Sequence, residues 1–488
     1  MSDIVPRGMT TASGLAGWVG DWATPTVRLG VTGLSRAGKT VFITALVANL
    51  IGKRRLPFFA AHASGRLKDA YLQPQPDDAV PRFAYQRHVA DLTASPPSWP
   101  SSTRQISQLR VTLDVDPQHT IASLIGARQL HVDIVDYPGE WLLDLGLMEL
   151  DYDTWSDQVL DRVMRPDHDE IAAPFKAKLA ALDPDAAFTD AAAEALADAF
   201  RGYLIAARKR PPGLATLGPG RFLMPGEYEG SPMLTFAPLP RDMRTGDGAA
   251  KRAFAAELER RFEVYKAKIV RPFFRNHFAK LDRQIVLVDA LAALNGGQRS
   301  LDDLRSALTA SLAAFRPGQS GWLSRLIGDR RIDKVLFAAT KADQIPQASH
   351  PRLEAILKHL TDEANGRATG EGANIGVLAL AAIRATKETV ATVQGEDLAC
   401  IKGVPLAGEE IDGTVFDGTE TAAVFPGDLP DDPVKAITAA EQGAFADVRF
   451  LRFSPPRLAA DAKDAPSEPW PHVRLDRALE FLLADRLP

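Results

Sequence analysis

The sequence predicts an α/β protein, with a mostly parallel sheet wrapped by helices, an inserted helical domain and a small C-terminal α/β extension. Three observations point there. Short apolar runs recur at 27–32, 130–135, 284–288, 335–339 and 375–380, and those at 284–288 and 335–339 are continuous, as in strands covered on both faces. A glycine-rich octet at 33–40 joins the first run to a stretch at 41–51 that is apolar nearly all round, the mark of a buried helix. Between Glu140 and Lys280 the chain turns Ala-rich and helical in pattern, with 191–207 and 249–268 the clearest helices.

The octet, Gly-Leu-Ser-Arg-Ala-Gly-Lys-Thr, fits G-x-x-x-x-G-K-[ST], the phosphate-binding loop of P-loop NTPases. Gly33 and Gly38 let the backbone curl so that successive N–H groups face phosphate oxygens. Ser35, Arg36, Ala37, Gly38, Lys39, Thr40 and Val41 are the expected nucleotide contacts. Lys39 would reach the β- and γ-phosphates, the Thr40 hydroxyl would ligate Mg²⁺, and the following helix adds its positive end. A glycine-rich turn that binds nothing is the alternative, disfavoured by the strand before it and the buried helix after it.

Residues 52–100 read as a helical insertion ending in a Pro/Ser-rich stretch at 94–102. Residues 109–115 alternate cleanly, as in a half-exposed strand near a sheet edge, and lie close enough to 130–135 to pair antiparallel. Asp136-Tyr137-Pro138-Gly139 then fits D-x-x-G. Asp136 would hold Mg²⁺ through water, and the Gly139 N–H would meet a γ-phosphate, a contact that exists only in the triphosphate state. A plain Asp-x-Pro-Gly turn is the competing reading. Glu140 stands where a water-orienting side chain would act, or it caps the next helix, favoured by the helix dipole. Thr103 is the best-placed threonine to sense Mg²⁺ and the γ-phosphate, against the reading of an ordinary loop residue. Arg36 and Arg104 are read as phosphate-positioning or solvated loop charges rather than catalytic groups.

Thr340-Lys341-Ala342-Asp343 follows a buried strand and fits [NT]-K-x-D. The Asp343 carboxylate offers acceptors to the N1–H and N2–H₂ donors of guanine, while adenine would set a bare acceptor against it. The Lys341 stem would lie along the base. Thr340 in place of the commoner Asn loses an amide bridge to the phosphate loop. Lys280-Leu281-Asp282 also matches K-x-D but precedes its strand, at the wrong end of the sheet, and Asp289 lacks the lysine two positions before it. Residues 381–383 form a small-residue loop in which Ala382 would offer its N–H to guanine O6. A final strand at 448–453 and an amphipathic helix at 475–487 are expected beyond it.

These readings divide the chain into a nucleotide-binding domain at 26–150 and 283–390, a helical domain inserted at 151–282, and an extension at 391–488 packing on the first. With 45% apolar and 24% charged residues in 488, the composition is that of a globular protein. A net charge of −5 supplies no field to recruit nucleic acid or anionic lipid. The lone cysteine, Cys400, excludes an intrachain disulfide, and the histidines show no paired metal-ligand spacing. Neither a signal peptide nor a stretch long enough to span a bilayer is apparent, so the expected location is cytoplasmic, with peripheral attachment at the inner membrane left open.

With these motifs in this order the chain resembles the Ras-like (TRAFAC) P-loop GTPases, and more narrowly the bacterial YcjX-like family. The narrower likeness is carried by the octet, Trp99-Pro-Ser-Ser-Thr-Arg, Asp136-Tyr-Pro-Gly-Glu-Trp, Val288-Asp-Ala-Leu-Ala-Ala-Leu-Asn, Phe425-Pro-Gly-Asp-Leu-Pro and Leu475-Asp-Arg-Ala-Leu-Glu-Phe-Leu-Leu. The resemblance implies GTP/GDP and Mg²⁺ as ligands, slow hydrolysis, a regulatory switch in bacterial stress responses, and a protein effector, with a membrane protein among the candidates. A nucleotide-bound scaffold with negligible turnover and an ATPase are the alternatives.

Overall fold

The computed structural model describes residues 24–33, 37–52, 56–101, 105–117, 128–183, 185, 187–209, 218–245, 252–314, 332–366, 374–393, 396–411, 413–443, 450–459 and 469–488. The strands of the main sheet are β1 (Thr26–Gly33), β2 (Leu67–Gln73), β3 (Ser107–Val115), β4 (Gln129–Asp136), β5 (Arg283–Val288), β6 (Lys334–Ala339) and β7 (Asn374–Ala379). They lie in the order β2-β3-β4-β1-β5-β6-β7. From β4 to β7 all neighbours run parallel, whereas β3 pairs antiparallel with β4 and β2 antiparallel with β3. Chain order reverses at β1, which opens a crevice at the carboxyl ends of the strands, where ligands bind in open α/β sheets.

One expectation is corrected here. The stretch 52–100 is not wholly helical, because it supplies the edge strand β2 before the helix Tyr85–Thr93. Leu67-Lys-Asp-Ala-Tyr-Leu-Gln lacks clean alternation, since its register slips between Leu67 and Asp69 and only one neighbour constrains it.

Twelve helices of the described residues matter to the site and its walls. They are α1 (Lys39–Ile51), α2 (Tyr85–Thr93), α3 (Glu140–Leu147), α4 (Tyr152–Val163), α5 (Asp169–Ala180), α6 (Asp190–Lys209), α7 (Ala253–Tyr265), α8 (Ala290–Asn295), α9 (Gly297–Ala314), α10 (His350–Gly366), α11 (Pro433–Glu441) and α12 (Leu475–Leu483). Two apolar cores cover the two sheet faces, and strand alternation assigns residues between them. In β5, Ile285 and Leu287 face the core that holds α1, α2 and α12, while Val286 and Val288 face the other. That second core runs without interruption from the sheet through Trp141 of α3 into Trp155, Phe200 and Phe262 of α4, α6 and α7. Its aromatic centre is close-packed, with Trp155 stacked on Phe262 at 5.0 Å between ring centroids.

The extension holds both strands and helices, as expected, but its strands lie elsewhere in the sequence. Its sheet is β8 (Lys387–Val393), β9 (Glu396–Gly403) and β10 (Ala422–Val424), antiparallel in the order β10-β9-β8. The strand expected at 448–453 is not formed in its described part, where Phe453 makes a single bridge to Pro405. Among the described residues no helix is long and apolar enough to cross a membrane.

Candidate functional site

The carboxyl ends of β1, β4 and β6 open into a cavity of about 350 Å³. Ala37, Gly38, Lys39, Thr40 and Val41 line one end, and Lys341, Asp343 and Ala382 line the other, with Gly139 and Glu140 beside the first group. The expected site residues Ser35, Arg36 and Thr103 lie outside the described residues, as does Arg104.

At the first end the chain leaves β1 and enters α1 through Gly38, whose φ of 79° is a left-handed conformation that suits glycine. The N-cap of α1 is Gly38, which has no side chain to cap the helix, and a helix start of this kind suits an anionic ligand. Lys39 Nζ lies 2.5 Å from Asp136 Oδ1, and both groups are sheltered. Ser107 of β3 donates to Asp136 Oδ2 at 3.4 Å. The lysine thus rests on the carboxylate that ends β4, and each neutralises the other. A phosphate could take over the lysine, which would release the carboxylate to a cation.

Gly139 does more here than free an N–H. A Cβ on it would stand 2.3 Å from the carbonyl oxygen of Gly33, so the turn after β4 rests directly on the end of β1. Glu140 follows as the first residue of α3, buried, with its Oε1 in an ion pair with Arg208 of α6. The dipole reading of Glu140 at a helix start and its position at the cavity wall hold together. Gly220 presses on the same turn, since a Cβ there would lie 2.3 Å from the Glu140 carbonyl oxygen. The guanidinium of the next residue, Arg221, sits 3.3 Å from the centre of the Trp141 ring.

At the second end Lys341 adopts a φ of 60° and its ammonium pairs with Asp289, which stands at the end of the adjacent strand β5. Asp343 is buried, and burial pushes its carboxyl up to about 6 despite bonds that favour the charged form. Its Oδ2 accepts from the Ala385 N–H at 2.7 Å, and Thr386 Oγ1 donates to its main-chain oxygen. A carboxylate oxygen can accept twice, so the Ala385 bond orients the group and leaves acceptor capacity toward the cavity. Beneath the loop, His350 Nε2 meets the Ala342 carbonyl at 2.7 Å, and burial lowers the imidazole below its usual range.

Several wall residues were not singled out from sequence. Arg208 comes from the inserted helical segment, while Leu406, Arg452 and Phe453 come from the extension. The Trp99 indole N–H donates to the Phe453 carbonyl at 2.7 Å, tying the stretch before β3 to the extension. None carries a local motif. Only the fold brings them within reach, although Trp99 did stand in a segment already marked by resemblance.

The arrangement provides amide and ammonium donors at one end and a buried carboxylate acceptor at the other. It matches an elongated ligand with an anionic tail and a donor-bearing ring. Oxygen donors at Thr40 and Asp136 are of the hard type that suits Mg²⁺.

Comparison with known proteins identifies the family. The YcjX-like family, DUF463, matches residues 27–487. The chain is 37% identical over 469 residues to the Ras-like GTPase YcjX of Escherichia coli (strain K12), covering 94% of this chain and 96% of that protein. It is 34% identical over 480 residues to the Ras-like GTPase YcjX of Shewanella oneidensis (strain MR-1), covering 94% of each. With the match spanning nearly every described element, this chain belongs to the YcjX-like family.

Proposed function

We propose that the protein binds GTP with Mg²⁺ and hydrolyses it slowly to GDP and phosphate, acting as a nucleotide-dependent switch. The observation that carries this reading is that Lys39 and Asp343 line one cavity, following strands β1 and β6 that lie on either side of β5, as an ammonium for the phosphates and a carboxylate for the base. The names of the relatives, Ras-like GTPase, support it.

Lys39 and the amides of 35–41 would hold the triphosphate, and Val41 would lie against it. The water oxygen bonds to the γ-phosphorus in line with the departing bridging oxygen, which leaves on GDP. Glu140 would orient that water, and Thr103 with the Gly139 N–H would respond to the γ-phosphate. Thr40, Thr103 and Asp136 would hold Mg²⁺, whose contribution is charge neutralisation at the phosphates. Lys341, Asp343 and Ala382 would hold guanine. The cytoplasm, with peripheral attachment at the inner membrane, is the location we propose, and an effector protein, a membrane protein among the candidates, is the partner. Stress response is the physiological setting that the family resemblance suggests.

Fluorescent-nucleotide binding tests the reading. The wild type should prefer GTP to ATP, and Asp343→Asn should shift preference toward xanthosine nucleotide. Equal wild-type affinity for ATP and GTP would overturn the base assignment, and unchanged triphosphate binding by Lys39→Ala would overturn the phosphate assignment.

A further inference from the structure

Each cationic side chain of the cavity wall is held by a carboxylate, and two of these pairs adjoin the phosphate loop and the D-x-x-G turn. Lys39 rests on Asp136, and Arg208 rests on Glu140. The first pair lies within the nucleotide-binding segment. The second spans 68 residues of sequence and brings in a guanidinium from the inserted helical segment.

We infer that Arg208 is a catalytic residue that the insertion supplies in cis. When triphosphate binds, its guanidinium leaves Glu140 for γ-phosphate oxygens and neutralises the charge that builds up as water attacks. The inference rests on the hydrolase reading above. Position comes first, since Arg208 shares the cavity wall with Lys39, Thr40, Gly139 and Glu140. Shelter comes second, because the Arg208 side chain is 24% exposed and that of Glu140 9%, unlike the solvated pairs that hold little energy. Charge comes third. A triphosphate carries about four negative charges, and Mg²⁺ with Lys39 offsets about three. Glu140 would add a further negative charge, and the Arg208 guanidinium beside it is the cation placed to offset it.

The exchange also frees Glu140. While paired with Arg208, the Glu140 carboxylate is held in place through its Oε1. Once Arg208 turns to phosphate, that oxygen can accept a hydrogen bond from the attacking water, so a single side-chain movement arms both groups. The backbone need not travel, because Gly220 wedges against the Glu140 carbonyl and keeps the insertion seated on this turn. The planar fork of arginine suits bidentate contact with phosphate oxygens, which lysine cannot reproduce.

The test uses the full chain as wild type, Arg208→Ala and Arg208→Lys, with Mg²⁺ present throughout. Single-turnover GTP hydrolysis, affinity for fluorescent GDP, and the gain in that affinity on adding aluminium fluoride are the three readouts. Both variants should hydrolyse GTP about 100- to 1,000-fold more slowly and lose the fluoride-dependent gain, while GDP affinity stays within about threefold. Turnover within about threefold of wild type would overturn the proposal. So would loss of GDP binding in parallel with turnover, which would make Arg208 a binding or folding residue. A wild type that neither binds GDP nor releases phosphate would instead remove the hydrolase reading, and the proposal with it.

Discussion

Lys341, at the end of β6, ion-pairs with Asp289, at the end of the neighbouring strand β5. The same aspartate accepts the Ala292 N–H at 3.1 Å through its other oxygen and so caps α8. One carboxylate therefore serves a helix start and the lysine beside the base end of the cavity.

The two duties separate by substitution. Asp289→Asn keeps an acceptor for the cap and loses the charge. It should weaken GDP binding about tenfold by loosening Lys341, with little change in melting temperature. Asp289→Ala should weaken binding similarly and also lower stability by about 1 kcal/mol through the lost cap. Calorimetric titration and thermal melts of both variants check this.

Asp343 predicts a pH dependence with opposite signs for binding and stability. Burial raises its carboxyl from 3.8 to about 6, so the native state holds its proton more tightly than the unfolded chain. Its contribution to stability is full below the unfolded value and is lost as pH rises through about 6. Guanine needs the ionised form, so GDP affinity should be full near pH 8 and fall as pH drops below about 6. Asp343→Asn should flatten this profile and stabilise the ligand-free protein at pH 8 by about 1–2 kcal/mol. Nucleotide titrations and urea unfolding across pH 5–8 are the measurements.

Three glycines near α3 should answer differently to alanine. At Gly139 and Gly220 the added methyl meets a carbonyl oxygen at 2.3 Å, so the backbone must move. Each substitution should cost at least about 2 kcal/mol and reduce nucleotide binding. Gly146 lies in α3 with nothing within 4 Å of a new Cβ, and alanine there should stabilise by about 0.5–1 kcal/mol. Denaturant midpoints of the three variants make the comparison.

Asp144 is fully buried, accepting from the Gly220 N–H at 2.6 Å and from the Tyr265 hydroxyl at 2.7 Å. Burial raises its carboxyl to about 6. Asp144→Asn keeps one acceptor oxygen, so one donor loses its partner. Relief of the buried charge opposes that loss, so stability at pH 7.5 should change by less than about 1 kcal/mol in urea unfolding, unlike the gain at Asp343.

What was legible in the sequence follows from range. The phosphate loop, D-x-x-G and T-K-x-D are contiguous and sit after strands whose buried runs announce themselves, so β1, β4, β5, β6 and β7 could be read directly. β2 could not be, since an edge strand with a register slip needs neither alternation nor a continuous apolar run. The extension's sheet was hidden for a related reason, as none of the described residues of β8 is buried and the sheet packs on only a small core of Ile401, Val424, Leu451 and Phe453. Arg208 and the Lys341–Asp289 pair were invisible because nothing local distinguishes a surface arginine from one that folding brings to a cavity. Asp289 was set aside for lacking a nearby lysine, and the sheet supplies one from the next strand.

The unbroken apolar mass joining Val135 and Val286 of the sheet to Trp155 and Phe262 of the insertion limits how this molecule can come apart. Excising 151–282 would expose the part of this core around Val135 and Trp141, even though α9 and α10 would still cover the sheet near β6 and β7, so the segment is no detachable cassette, and protease should not liberate it as a free-standing fragment. Heating should melt the sheet and insertion in a single cooperative event, and signals between them must travel as small slips rather than as a swinging arm.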